Sequence, residues 1–152
     1  VMECATVCPG KYIVIISGEL SAVKASVDAA TTKFTDKVID SFVLGNPHDS
    51  IFSAIYGATQ PEGVEALGVM ESFSAATAIV AADAAAKTAL VELIELRLAR
   101  GMCGKSYLLL TGSVSAVTAA IERAENEASD RGMFLDSSVI PRPDAKLWQS
   151  IL

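Results

Sequence analysis

One stretch of this chain is a second writing of another, and that repeat limits the fold more than any motif in it. Gly10-Lys11 leads into the apolar run Tyr12-Ile13-Val14-Ile15-Ile16 and then Gly18-Glu19-Leu20-Ser21-Ala22-Val23. The same order returns as Gly104-Lys105, Tyr107-Leu108-Leu109-Leu110 and Gly112-Ser113-Val114-Ser115-Ala116-Val117. Gly10 and Gly104, Gly18 and Gly112, and Ser21 and Ser115 each stand 94 residues apart. Further on, Asp40-Ser41-Phe42-Val43-Leu44 and Pro47 match Asp136-Ser137-Ser138-Val139-Ile140 and Pro143 at a spacing of 96. The two-residue slip falls in the intervening helical segment, where a length change is tolerated. Two small copies in tandem put the same loop at two related places in the molecule.

Copy two reads cleanly. Residues 64–71 read as a strand, 72–88 as a helix with Asp83 and Lys87 paired at i,i+4 on an exposed face, and 91–98 as a second strand. A turn holding Gly101 and Gly104 leads to a strand over 105–111, a helix over 114–131, a strand over 133–140 and a short amphipathic tail over 145–152. The order β-α-β-β-α-β plus a terminal helix predicts an α+β fold of split βαβ, ferredoxin-like domains. Copy one supplies the same elements from its second strand onward: strands over 1–7 and 11–17, a helix over 20–34, a strand over 37–44 and a short helix over 48–56. We therefore divide the chain into a partial first domain (1–57), a linker containing Gln60-Pro61-Glu62 (58–63) and a second domain (64–152).

The counterpart of Ala66-Leu67-Gly68-Val69-Met70-Glu71 and the alanine-rich helix after it would precede Val1. Copy one thus lacks its opening strand and helix in the residues given, and we read the sequence as a fragment, a processed chain or an incomplete record. In a split βαβ sheet the opening strand is central. Without it two neighbours carry unpaired backbone groups, each costing on the order of 1–3 kcal/mol when buried. Copy one alone is not expected to fold unless some segment fills that slot.

With 51% hydrophobic and 20% charged residues the chain has ample core material, which excludes intrinsic disorder. No apolar run approaches the roughly 20 residues of a membrane-spanning helix. Net charge is −6 and the 12 basic residues form no cluster, so neither a nucleic acid nor a membrane is an expected partner. Three cysteines at no disulfide-framework spacing fit a reducing compartment.

Several motifs invite chemistry. Ala99 to Ser106 follows a permissive phosphate-loop pattern, but such a loop must open a helix whose N-terminus holds the phosphates. Here the strand-like Tyr107-Leu108-Leu109-Leu110 follows, so the match is a decoy. His48, the single histidine, follows Asn46-Pro47 and reads as a cap on a short helix rather than a catalytic group. No nucleophile–base set recurs, and no enzymatic activity is expected. Cys8 is more informative. A free cysteine is commonly a small buried apolar side chain, yet Cys8 precedes Pro9-Gly10, in a turn where exposure is expected. Cys4 cannot share a metal ion with it along an extended strand, since four residues span about 13 Å. One thiolate per chain is too few for a metal centre. It becomes sufficient only if a rotation axis gathers several chains.

Ala66-Leu67-Gly68-Val69-Met70-Glu71, Ala82-Asp83-Ala84-Ala85-Ala86-Lys87-Thr88-Ala89, Gly112-x-Val114-x-Ala116-Val117 and Val139-Ile140-Pro141-Arg142-Pro143 together resemble the bacterial microcompartment shell domain. Thr6-Val7-Cys8-Pro9-Gly10-Lys11, Leu44-Gly45-Asn46-Pro47-His48 and Gly104-Lys105 resemble the tandem-domain shell proteins of propanediol utilisation. The resemblance implies a homotrimer shaped like a hexamer, a flat tile packing edge to edge with other hexagonal shell proteins around encapsulated enzymes in the bacterial cytoplasm. It implies pore loops at Cys8, Pro9 and Gly10 and at Met102, Cys103 and Gly104, three copies of each. Cys8 would bind a [4Fe–4S] cluster shared by three chains on the three-fold axis, for electron transfer or cluster delivery across the shell. Lys87 and Arg142 match tile-edge contacts. Cys103 stands where copy one has Pro9 and has no role in the resemblance. Two alternatives stay open: a tile whose cluster-free pore passes small metabolites, and a ferredoxin-like ligand-sensing regulator.

Overall fold

The structure is a computed structural model that describes residues 1–61 and 63–152; Glu62, in the expected linker, lies outside the described residues. In chain order the elements are β1 (Glu3–Cys8), β2 (Lys11–Ile15), α1 (Leu20–Lys33), α2 (Ser50–Ile55), β3 (Ala66–Ser72), α3 (Ala75–Thr88), β4 (Glu92–Arg97), β5 (Ser106–Gly112), α4 (Val114–Asp130), β6 (Phe134–Ile140) and α5 (Ala145–Ile151). Copy two forms one antiparallel sheet in the order β4-β5-β3-β6, with its opening strand β3 paired on both edges as the repeat predicts.

The long helices α3 and α4 cover one face of that sheet. Along α4 the buried residues Val117, Ala120, Ile121, Ala124 and Ala128 recur at helical spacing. On α3 the facing residues Ala78, Ala81, Ala82 and Ala85 have almost no accessible surface, so the two helix backbones approach closely. Gly68 on β3 continues the same economy. A Cβ there would lie 2.7 Å from Leu110, 2.8 Å from Ile121 and 2.9 Å from Val117. Serine oxygens cap both helices, Ser74 accepting from the Thr77 amide at 3.0 Å and Ser113 from the Ala116 amide at 3.3 Å.

In β4 the alternation breaks because the register shifts between Leu93 and Glu95. Leu93 and Leu96 join the main core under the helices, whereas Ile94 faces the opposite side and meets Leu67 and Trp148. A bulge of this kind turns one extra side chain to the other face, and α5 lies over it there.

Copy one departs from the expected pattern. Residues 37–44 do not form a strand. In copy two the matching β6 exists by pairing with β3, and the described residues hold no counterpart of β3 in copy one. A strand needs a partner for its backbone groups, and apolar alternation alone does not supply one. For the same reason β1 and β2 stand as a two-stranded ribbon, and α1 carries no buried residue. Copy one instead leans on copy two. Ile51 and Ala54 of α2 are buried in the core of copy two, against β4, and Ile13 and Ile15 of β2 pack on the same cluster.

Polar contacts fasten the 37–48 segment to α3. Asp40 accepts hydrogen bonds from the Ser74 hydroxyl, from the Thr77 hydroxyl at 2.8 Å and from Arg131 at 2.7 Å. Near the other end of α3, Asp83 accepts from the His48 amide at 2.7 Å and from Lys87 at 2.6 Å, while Lys87 also donates to the Asn46 carbonyl at 2.5 Å. Of the Asp83/Lys87 pair, expected on an exposed face, only Lys87 is exposed. Asp83 is buried, because the loop at residues 45–48 lies across it.

Candidate functional site

Pro9 and Gly10 form the tight turn between β1 and β2, and Gly10 has φ +77, the left-handed value that a Pro-Gly turn demands of its glycine. Cys8 and Lys11 flank it as register partners, so their side chains leave the ribbon on the same face. Cys8 is free and half-buried; Pro9 and Gly10 are exposed. The pairing shifts between Thr6 and Cys8, and the intervening Val7 turns its carbonyl outward to accept the Gly101 amide at 3.1 Å.

The matching loop of copy two is longer. Strand β4 stops at Arg97, and eight residues, 98–105, precede β5. The loop closes on a second turn in which the Lys105 amide donates to the Met102 carbonyl at 3.1 Å. Both central residues are left-handed, Cys103 at φ 55 and Gly104 at φ 93. That is the signature of a type I′ turn, so the two pore-loop candidates correspond in position but differ in backbone type. Cys103 is exposed and Met102 half-buried. Ser106 of the phosphate-loop pattern is buried and accepts the Ala99 amide at 3.0 Å, and strand β5 starts there rather than a helix.

The structure brings the two loops together. Lys11 Nζ donates to the Cys103 carbonyl at 2.6 Å, Arg100 pairs with Glu3, and Gly101 meets Val7. Cys8, Pro9, Gly10, Cys103 and Gly104 thus belong to one end of the molecule. Cys4 lies farther down β1, its thiol sharing a hydrogen bond of 3.0 Å with the Tyr12 hydroxyl, which raises the Tyr12 pKa. Among the described residues no group of three or more His, Cys, Asp or Glu side chains stands close enough to hold a metal ion.

The two edge candidates lie elsewhere. Lys87, its side chain 41% exposed, is tied to Asp83 and Asn46 within the chain. Arg142 is exposed in the Pro141-Arg142-Pro143 turn and borders a groove of about 460 Å³ with Val64, Val114 and Trp148. Two contacts between the copies have no signal within either copy, the reach of Lys11 to copy two and the carboxylate of Asp40 at the start of α3. Both depend on how the copies pack, and only the repeat of Gly10-Lys11 as Gly104-Lys105 hinted at the first.

The BMC domain family matches residues 1–47 and 66–143, both copies of the repeat. The chain belongs to the BMC-domain family. It is 36% identical over 147 residues to the bacterial microcompartment shell protein PduT of Citrobacter freundii, a match covering 97% of this chain and 80% of that protein. The solved structure of a microcompartment protein from Desulfitobacterium hafniense DCB superposes with a TM-score of 0.86 at 45% identity, covering 97% of this chain and 82% of that one. This BMC-domain chain is therefore a PduT-like shell protein built from two tandem BMC domains, in a structural rather than an enzyme family. No helix among the described residues is long and apolar enough to cross a membrane.

Proposed function

We propose that three of these chains form a pseudohexameric shell tile whose central pore holds a [4Fe–4S] cluster on the three-fold axis. The observation that supports it is the isolation of Cys8. It is a free, half-buried thiol on a Pro-Gly turn, set against the matching loop of the other copy, with no ligand set around it among the described residues of its own chain. Thiolate sulfur is the donor that iron–sulfur clusters require, and one donor per chain makes a site only when chains share it.

Three Cys8 side chains would bind three irons and leave the fourth open to water, an exogenous ligand or an outside thiolate. The bound cluster would supply one-electron chemistry at a potential sensitive to its exposure, suited to electron transfer or cluster delivery across the shell. The protein's part is positional. The Pro9-Gly10 turn fixes Cys8 at the end of β1, and the 98–105 loop would alternate with that hairpin around the axis. Lys87 and Arg142 would face neighbouring hexagonal tiles, with enzymes enclosed on one side of the shell.

Anaerobic purification or reconstitution tests the reading. The protein is expected to be brown and to carry iron and acid-labile sulfide. Cys8→Ser should lose both, and Cys103→Ser should keep them. Iron retained in Cys8→Ser would overturn the assignment. A reconstituted wild type free of iron would leave a tile with an open pore for small metabolites.

A further inference from the structure

We propose that Lys11 is the positioning residue that joins the two pore loops, holding the copy-two loop beside Cys8 and keeping a positive charge there. Its last consequence, on the cluster, rests on the reading given under Proposed function; the positioning itself does not. Cys8 and Lys11 are register partners, so the ammonium arm starts on the face that carries the thiol. From there it crosses to the other copy, where Nζ meets the Cys103 carbonyl at 2.6 Å, a contact spanning 92 residues of sequence. The arm runs directly over Gly104, which the left-handed turn already requires: a Cβ there would lie 2.9 Å from Lys11 Cδ and 3.1 Å from Nζ.

The charge survives this contact. A carbonyl acceptor neutralises nothing, and among the described residues Lys11 forms no ion pair. Its basic neighbours are opposed, Arg100 by Glu3 and Lys105 by Glu71 at 3.8 Å. Among the described residues, Lys11 is therefore the cation at these two loops with no carboxylate partner. A merely packed surface lysine would be replaceable by methionine, which keeps the arm and loses the donor and the charge.

Two readouts on Lys11→Met and Lys11→Arg, in the full chain, decide the matter. The first is amide hydrogen exchange of residues 99–105 in the iron-free protein. Lys11→Met should speed it on the order of ten-fold, the scale of one charge-assisted hydrogen bond. Exchange in 12–15 should stay unchanged, and Lys11→Arg should retain loop protection. Unchanged loop exchange in Lys11→Met would overturn the positioning role. The second readout is the reduction potential after reconstitution. Lys11→Met should lower it and Lys11→Arg should leave it near wild type, because a nearby cation stabilises the more negative, reduced cluster. Equal potentials in wild type and Lys11→Met would overturn the role of the charge. A wild type that takes up no iron overturns the cluster reading and the charge effect together, while the exchange data still decide the positioning.

Discussion

Asp40 carries much of the junction between the copies. Burial pushes its carboxyl pKa up, but hydrogen bonds from Ser74 and Thr77 and the charge of Arg131 outweigh that effect, so the net value lies below the ordinary 3.8. Arg131 is braced in turn by the Thr77 hydroxyl at 3.0 Å, the Ser41 carbonyl at 3.2 Å and the Phe42 ring at 4.9 Å. A folded-state pKa below the unfolded one stabilises the fold fully above the unfolded value, and that contribution fades as pH falls through the folded value. Wild-type stability should therefore decline with a component confined to pH below about 4. Asp40→Asn should lose about 1.5–3 kcal/mol near neutral pH, the range for hydrogen bonds to a charged group, and should lack that acid component. Denaturant titrations between pH 3 and 7 check both; a parallel pH profile in the variant would count against this account. Gly68 is the apolar counterpart at this scale. Gly68→Val should cost about 1–3 kcal/mol by overpacking against Leu110, Val117 and Ile121, measured as a lower denaturation midpoint.

At the scale of elements, copy two was legible because each signal there is local and closed. The apolar period of α4, the turns, and the tandem strand order all agree with one topology. The strand over 91–98 is likewise legible, whereas the bulge between Leu93 and Glu95 appears only once β4 is paired with β5. The segment 37–44 was not legible. Its residues alternate like those of β6, but strand status belongs to a pair, and the pair's other member has no copy-one equivalent among the described residues. The same reasoning accounts for Lys87, whose i,i+4 partner could be read from spacing while the loop that covers it comes from the other copy. Backbone amides at 42–44 should therefore exchange much faster than their repeats at 138–140, which are locked to β3. Peptide-resolved hydrogen exchange tests this, and equal protection in the two segments would contradict the account.

For the whole molecule, the repeat explains why two loops of common origin meet at one end, and packing explains why they are unequal. The hairpin of copy one offers a thiol on a tight turn; the longer loop of copy two offers a carbonyl and a glycine that receive Lys11. The candidate site was half legible: Cys8-Pro9-Gly10 and Cys103-Gly104 stand out as turns in the sequence, but their union across 92 residues is a property of the packed pair. In the proposed tile, a site too poor in donors among the described residues of one chain is completed by rotation. Native mass spectrometry of the anaerobically prepared protein measures this directly. The expected species has three times the mass of the 15.9 kDa chain and carries a single four-iron, four-sulfide cluster that is lost in Cys8→Ser. A monomer holding iron, or a trimer whose iron scales one-for-one with chains and ignores Cys8→Ser, would contradict it.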